Sequence, residues 1–319
     1  MEFLFKKTNE LSYEEKQQIC SLFEEVFKQK TSIELFEREF LKTIKGYSYH
    51  GLMIDNDKII GAYSAIPVNY NYFGKEYTFA LSVDTMIHSN YRGNPYNLKQ
   101  MANLVYDELK NDGIPFVFGA PNQKVYLVRK KILDWKDIAT LDYYILPVNF
   151  SFINKNLNFA NILVRIFVFL LNKISLIFRK IYSENVLSEN IEVCYNLEFQ
   201  KWRCFDEKLK KIDLKEGFCY YKIKDYKNLK AAYIIDIKPF NKKNIEMFTE
   251  KIYEAEKNNI DIIIYTGKLD FIPVNLFKVP LKLNPRPYEV SGLVLIDDKI
   301  DNRVFDVGNW QLNMINFDF

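Results

Sequence analysis

The order of the predicted helices and strands constrains the fold more than any other feature of the sequence. Capping boxes begin at Ser12 and at Thr31, and apolar residues at helical spacing follow each of them. Strand patterns come next, at 51–54, 58–68 and 77–88. From there to Val148, helix and strand patterns alternate. This order predicts an α/β fold with a mixed sheet that is covered by helices on both faces.

The second half of the chain, 187–319, echoes this order. Two strand patterns, at 218–226 and 229–237, flank a polar turn. A helix pattern follows them, and then a buried strand at 260–265. We therefore expect a second α/β half with a similar shape, although no residue-level repeat links the two halves.

A long apolar run at 158–182 separates the halves, and as a helix it would be about 37 Å long. Polar residues recur in it at every seventh position, namely Asn158, Arg165, Asn172 and Arg179. A charged residue in mid-span costs about 3 kcal/mol, which disfavours a membrane-spanning helix. Two interpretations stay open: a helix packed between two domains with its polar stripe in water, or a helix that lies on a membrane surface.

These patterns predict three consecutive segments along the chain. A first domain would cover 1–150, a linker with the long helix would cover 151–186, and a second domain would cover 187–319.

Composition excludes several classes of function. The chain carries 44 Lys and Arg against 41 Asp and Glu, so a nucleic-acid partner has no electrostatic support. Four cysteines form no C-x-x-C pair, and the first seven residues lack an apolar core of secretory length. We therefore expect a cytoplasmic protein with reduced thiols and no metal. Neither a G-x-S-x-G elbow nor a G-x-x-x-x-G-K phosphate loop occurs in the sequence.

The stretch from Ser82 to Asn97 carries the clearest chemical signal. A buried strand ends there, a short loop brings Arg92 and Gly93, and a helix begins. The first turn of a helix has free N–H groups and a partial positive charge, which together form an anion site. The Arg92 guanidinium adds further donors for the same anion. The sequence thus predicts a site for a pyrophosphate group.

Three phrases of the first half, taken together, resemble the GNAT superfamily of acyl-CoA N-acyltransferases. They are H-S-N-Y-R-G at 88–93, F-V-F-G-A-P-N at 116–122 and K-K-I-L-D-W at 130–135. The element order of 1–150 is similar to that family, and the rest resembles a second, degenerate GNAT-like half. The chain departs from the family pattern at three positions, where Pro95, Asn97 and Asp134 replace the family's small residues. Proline has no N–H to offer a phosphate, so the pyrophosphate site would differ in shape from the usual one.

The resemblance implies acetyl-CoA or another acyl-CoA as the donor. Its pantetheine arm would pair with the strand near Met86 and Ile87, and Asn122 would bond the same arm, as well as cap a helix. The loop and the first helical turn would hold the pyrophosphate through Arg92, Gly93, Asn94 and Tyr96.

Three residues are candidates for proton transfer. Period-2 alternation places Asp84 and His88 on one face of the strand together with Met86, and either could act as the base. A buried, hydrogen-bonded Asp or a loop histidine would look the same in the sequence. Tyr126 is the candidate acid, although the family's usual acid tyrosine falls later on the helix, where this chain has Arg129-Lys130-Lys131.

Three functions fit these observations to different degrees. The first is transfer of an acyl group from acyl-CoA to the amine of a small acceptor, for which the long aromatic second half favours a nucleotide-linked amino sugar. The second is a non-catalytic binding or assembly module, docked to a membrane surface or a partner through 158–182. The third, an aminoacyl-tRNA donor, is disfavoured by the near-neutral charge.

Overall fold

The computed structural model describes residues 1–149, 158–180, 191–204, 206–226, 229–284 and 286–317. Its helices are α1 Tyr13–Phe27, α2 Ile33–Phe40, α3 Tyr96–Asn111, α4 Gln123–Ile132, α5 Asn158–Arg179, α6 Leu197–Arg203 and α7 Lys242–Glu256. Its first strands are β1 Glu2–Lys7, β2 Tyr49–Asp55, β3 Lys58–Tyr72, β4 Lys75–Ile87, β5 Phe116–Gly119, β6 Lys136–Thr140 and β7 Asp142–Pro147. The later strands are β8 Ile191–Val193, β9 Leu209–Leu214, β10 Gly217–Tyr226, β11 Leu229–Lys238, β12 Ile262–Gly267, β13 Phe277–Lys278 and β14 Glu289–Val294.

The first of two compact units is built on an eight-stranded sheet. Its strand order is β1-β2-β3-β4-β5-β14-β6, with β8 paired to β3. Neighbouring strands are antiparallel except β4 and β5, which are parallel. The mixed sheet that the sequence predicts is therefore confirmed, and β4 is one of its inner strands.

Helices cover both faces of this sheet, as the element order predicts. Consecutive residues of a strand point to opposite faces. On β2, the His50 ring stacks against Phe36 of α2. The next residue, Gly51, faces α3 so closely that a Cβ would lie 2.1 Å from the Met101 carbonyl oxygen. Because no side chain fits there, α3 packs directly on the backbone of the sheet.

The helix starts and the hairpin turn follow local side-chain chemistry. Ser12 caps α1 through a capping box with Glu15, as predicted. The predicted box at Thr31 is wrong by one residue, because Ser32 accepts the hydrogen bond that caps α2. Asn56 and Asp57 connect β2 to β3 with positive φ angles of 48° and 62°, a conformation that these residue types tolerate better than most.

The second unit has a six-stranded sheet with the order β13-β7-β12-β11-β10-β9. Its parallel pair is β11 with β12, and α7 connects these strands. In both units, a hairpin leads into a helix and then into a strand parallel to the second hairpin strand. The echo between the two halves is therefore real at the level of topology.

The units interleave along the chain, whereas the sequence predicts the consecutive segments 1–150, 151–186 and 187–319. The first unit comprises Met1–Thr140, Glu189–Cys204 and Tyr288–Trp310, and the second comprises the remaining residues. The cause is strand pairing. β14 completes the open edge of β5, and β7 completes the open edge of β12. Such pairings join distant parts of the chain, so local patterns do not reveal them.

The long helix α5 packs on α7 with Asn172 and Arg179 of its polar stripe facing inward, whereas Arg165 of the same stripe is exposed. The prediction of a stripe in water is therefore wrong for the C-terminal half of the helix. Asn172, Ser175 and Arg179 are all less than 9% exposed. The Ser175 hydroxyl donates to Glu246 at 2.5 Å, and Arg179 forms an ion pair with Glu250. By length and composition, the part of α5 from Asn161 to Arg179 could cross a bilayer. Residues 151–157 and 181–186 of the predicted linker lie outside the described residues.

The buried histidine of β2 makes the stability of the fold depend on pH. The ring of His50 lies 2.9 Å from Ser64 Oγ and 2.8 Å from Thr8 Oγ1, and burial lowers its pKa to about 3. The unfolded chain takes up this proton below about pH 6.5 and the folded chain does not, so stability is full above that pH and falls below it.

We expect the free energy of unfolding to fall by roughly 2 kcal/mol between about pH 7 and pH 5. Urea unfolding at the two pH values measures this change. The variant His50→Gln should lose most of the difference, while His88→Gln should keep it. An equal pH dependence in wild type and His50→Gln would contradict this assignment.

Candidate functional site

The parallel pairing of β4 with β5 stops in the middle of β4. The last pairs are Ala80 with Val117 and Leu81 with Phe118, and β5 ends one residue later at Gly119. The other strand, β4, continues for six more residues, to Ile87. Ligands in open α/β sheets bind beyond the carboxyl ends of parallel strands, where the chains separate. The end of this pair is therefore the natural place for a site in the first unit.

A β-bulge lies at the same point of β4. The pairing with β3 passes from Ser64–Val83 to Ala62–Met86, so β4 carries one extra residue. Asp84 takes the strain of the bulge with a φ of 45°. Aspartate and asparagine are among the few residue types that adopt this conformation readily.

The backbone beyond the bulge presents hydrogen-bonding groups away from β3. The N–H of His88 donates to the Ile60 carbonyl of β3 at 2.8 Å. In an antiparallel pair, these groups alternate between the two edges of a strand. Ile87 therefore turns its N–H and C=O groups to the edge that β5 has left. The backbone groups of Met86 face β3, and its side chain is buried.

The loop after β4 is exposed, and its own side chains form hydrogen bonds with some of the local backbone groups. Arg92 folds back, and its Nε donates to the Ile87 carbonyl at 2.7 Å. The side-chain oxygen of Asn94 accepts a hydrogen bond from the N–H of Tyr96 at 3.0 Å. The backbone carbonyl of Asn94 accepts one from the N–H of Asn97 at 3.2 Å. Two first-turn amides of α3 that the sequence predicts to be free are thus bonded, because Asn94 acts as a local cap.

Asp84 and His88 both lie near α1, although the bulge breaks the period-2 alternation on which the sequence prediction rested. Burial, together with nearby carboxylates that include Asp84, raises the pKa of the Cys20 thiol to about 11. The Nε2 atom of His88 lies 3.2 Å from Glu25 Oε1, and its Nδ1 accepts the N–H of Asn90 at 3.3 Å. With Nδ1 as acceptor, the neutral ring carries its proton on Nε2, directed at Glu25.

Tyr126 makes a polar cluster on the outer side of α4. Asn122 caps this helix by accepting the Val125 N–H at 3.1 Å. The Tyr126 hydroxyl donates to Asp137 Oδ1 at 2.7 Å, and Lys130 binds the same carboxylate at 2.5 Å. Burial first, and then the bond to Asp137, raise the pKa of Tyr126. Its proton is therefore held by Asp137, and its role as an acid stays a prediction.

A buried arginine on α4 contacts the bulge from the other side. Arg129 is 2% exposed, and its Nη2 donates to Ser82 Oγ and Thr85 Oγ1, both at 2.8 Å. The guanidinium lies 4.4 Å from the centre of the Trp135 ring. Its Nε and Nη1 are buried without a hydrogen-bond partner, and no ion pair to it occurs within the described part of the chain.

Two of these groups, Arg129 and Glu25, are not among the site residues predicted from the sequence. Arg129 had a signal, since it begins the basic triplet where the resembling family has its acid tyrosine. Glu25 had none, because a carboxylate on an amphipathic helix looks like any solvated residue.

Comparison with known proteins agrees with this geometry. Residues 7–130 match the family model of an acetyltransferase (GNAT) domain. A conserved protein of Enterococcus faecalis V583, described as a probable N-acyltransferase, is 13% identical and has a TM-score of 0.61 over 92% of this chain and 72% of that chain. The GCN5-related N-acetyltransferase of Anabaena variabilis ATCC 29413 is 13% identical and has a TM-score of 0.58 over 92% of this chain and 73% of that chain. Saccharomyces cerevisiae N-myristoyltransferase with bound myristoyl-CoA and inhibitors is 10% identical and has a TM-score of 0.54 over 91% of this chain and 79% of that chain. No curated protein sequence matches the chain, and at such identities the structures show a shared fold.

The exposed loop offers a clean test for a bound phosphate. A Cβ at Gly93 would meet nothing within 4 Å, so Gly93→Ala should leave the fold unchanged. If a pyrophosphate lies against this backbone, the added methyl group and the loss of charge in Arg92→Ala should each weaken CoA binding about tenfold or more. Isothermal titration with CoA at fixed salt measures the effect. Lys110→Ala, exposed at the other end of α3, is the control. Unchanged affinity in both loop variants would place the cofactor elsewhere.

The buried arginine should add little to stability, because burying a cation without a counter-ion is unfavourable. We expect Arg129→Met to leave the free energy of unfolding unchanged or to raise it by about 1 kcal/mol. Urea unfolding measures this, with the exposed neighbour Lys130→Met as the control. A loss above about 3 kcal/mol would show instead that Arg129 is a stabilising core residue.

Proposed function

We propose that the chain is an N-acyltransferase that moves an acyl group from acyl-CoA to the amine of a small acceptor, because residues 7–130 match the family model of an acetyltransferase (GNAT) domain. The carrying observation is the edge of β4 that β5 leaves after Leu81. An extended chain that bears amides can add to such an edge as a further strand would. The pantetheine arm of CoA has this character, with amide groups along a flexible chain.

The free edge also suits the charge that develops during acyl transfer. When an amine attacks a thioester, negative charge grows on the carbonyl oxygen. The backbone N–H group of Ile87 lies on the edge that would face this oxygen, and a fixed donor of this kind stabilises it. The bulge at Asp84 turns the strand locally beside this donor.

Asp84 is the group that we propose as the base. The attacking amine forms a C–N bond, gives up a proton to Asp84, and the C–S bond breaks to release the thiolate, which then takes up a proton. The ring of His88 is less suited to this step, since its Nδ1 lone pair accepts the Asn90 N–H. Its Nε2–H donates to Glu25, so His88 holds a carboxylate beside the same face.

For the acceptor, we carry forward a nucleotide-linked amino sugar as the first compound to test. Its support is the long, aromatic second half of the sequence, which favours a bulky acceptor over a free amino acid. A screen of amines that follows thiol release from acetyl-CoA and longer acyl-CoA thioesters addresses both substrates at once.

One observation favours a second function, a binding module without catalysis. The loop that should hold the pyrophosphate is partly satisfied from within, through Asn94 and through the bond of Arg92 to Ile87. If wild-type protein binds no acyl-CoA in the titration, the non-catalytic function replaces the transferase.

The base is tested by substitutions that keep the backbone of the bulge. Asp84→Asn and Asp84→Gly both tolerate the φ of 45° and both remove the carboxylate. We expect either variant to lower kcat by about 10²–10⁴-fold with CoA affinity unchanged. Steady-state rates over a range of pH should also lose the acidic limb of the wild-type profile. Tyr126→Phe is run in parallel. Activity in both Asp84 variants near the wild-type level would show that Asp84 serves only the backbone.

A further inference from the structure

Helix α5 buries apolar and polar residues together, since Val164 and Val168 join the core of its unit and Asn172 and Ser175 are buried as well. Its buried stripe contains polar groups: Asn172 Oδ1 accepts from Asn275 at 3.1 Å, and Ser175 donates to Glu246. The opposite side is apolar, and ten Ile, Leu and Phe side chains between Ile162 and Phe178 are 44–63% exposed. The largest apolar patch on a typical monomer is about 300–600 Å², so an uncovered surface of this extent indicates an interaction site.

The apolar surface extends beyond the helix. The ring of Phe277 on β13 is 40% exposed and stacks on Phe167, with 5.9 Å between the ring centres. We call the exposed side of α5 together with Phe277 the apolar face. It is rich in phenylalanine, isoleucine and leucine, which are the residue types that enter the acyl boundary of a bilayer.

The charged residues of α5 itself have one sign. Between residues 158 and 180 the chain has no Asp or Glu, and it carries Arg165, Lys173, Arg179 and Lys180. Arg179 is engaged with Glu250, whereas Lys173 and Lys180 are exposed. Basic residues beside an apolar surface complement anionic lipid headgroups. A second copy of the same face would instead bring lysine toward lysine.

The contacts of α5 with its own unit favour a helix that lies on a membrane surface over one that crosses it. The bonds of Ser175 to Glu246 and of Arg179 to Glu250 hold the helix along α7. A helix that crossed the bilayer would take these charged partners into hydrocarbon or break the bonds. Only 22% of the span from Asn161 to Arg179 is buried, so the rest is available to lipid.

We propose that the apolar face docks the protein, parallel to the surface, on membranes that contain anionic lipids. The side chains from Ile162 to Phe178 enter the region of headgroups and upper acyl chains, while Lys173 and Lys180 meet lipid phosphates. This proposal does not depend on the acyltransferase function, because it uses other residues and another observable.

Vesicle co-sedimentation of the full chain tests the docking. Wild type should bind phosphatidylcholine vesicles weakly and vesicles with added phosphatidylglycerol strongly. The double variant Ile166→Gln with Phe169→Gln should lower the partition coefficient about tenfold or more, because two large apolar side chains no longer enter the membrane. Lys173→Gln with Lys180→Gln should remove the preference for phosphatidylglycerol. Leu35→Gln with Leu127→Gln, at similarly exposed positions of the first unit, is the matched control and should bind as wild type.

A tryptophan on the helix measures depth. Phe169→Trp should show a blue-shifted emission and be quenched by lipids brominated near the headgroup end of the acyl chain more than by lipids brominated at its end. Strongest quenching at the bilayer centre would contradict docking parallel to the surface. Absence of vesicle binding would overturn the proposal. A wild-type dimer that becomes a monomer in the Ile166→Gln, Phe169→Gln double variant would also overturn it, because a second copy of the chain would then cover the apolar face. Circular dichroism confirms that the variants fold, and CoA titration is unaffected by any of these outcomes.

Discussion

The end of hydrogen bonding between β4 and β5 is the constraint on which the candidate site depends. Backbone N–H and C=O groups inside a protein need partners, so a strand that outlasts its neighbour must offer its groups to something else. Here β5 stops at Gly119 while β4 continues to Ile87. The bulge at Asp84 lies within this unpaired length and adds a carboxylate beside it. The proposed binding edge and the proposed base thus arise from one interruption of a regular sheet.

Arg129 of α4 forms hydrogen bonds to β4 at the same bulge. Its hydrogen bonds reach hydroxyl groups on both sides of the bulge, those of Ser82 and Thr85, and two of its nitrogen atoms have no partner. A buried cation without an ion pair is unfavourable for stability, which indicates that its position serves the site rather than the fold. The second unit repeats the sheet topology, yet its notable surface is helix α5, where inward polar contacts leave an apolar side uncovered.

Local periodicity in the sequence predicts much of this fold. It does not reveal strand pairings between residues that are far apart along the chain. The order of elements and the inner position of β4 follow from spacing along the chain. The pairing of β14 with β5 joins residues far apart in sequence, so no local pattern marks it. The polar stripe of α5 is visible in the sequence, but residue spacing shows only which side chains share one side of the helix. It does not show whether water or α7 covers that side. The partners of Asn94 and Arg92 depend on rotamers, which a sequence pattern does not fix.

Hydrogen exchange in the presence and absence of CoA tests the central claim most directly. If the cofactor adds to the free edge of β4, amides within residues 82–99 should exchange more slowly in saturating CoA, and the amide of Ile87 should show the largest change. Protection confined to other parts of the chain, or no protection at concentrations that saturate the titration, would contradict the account.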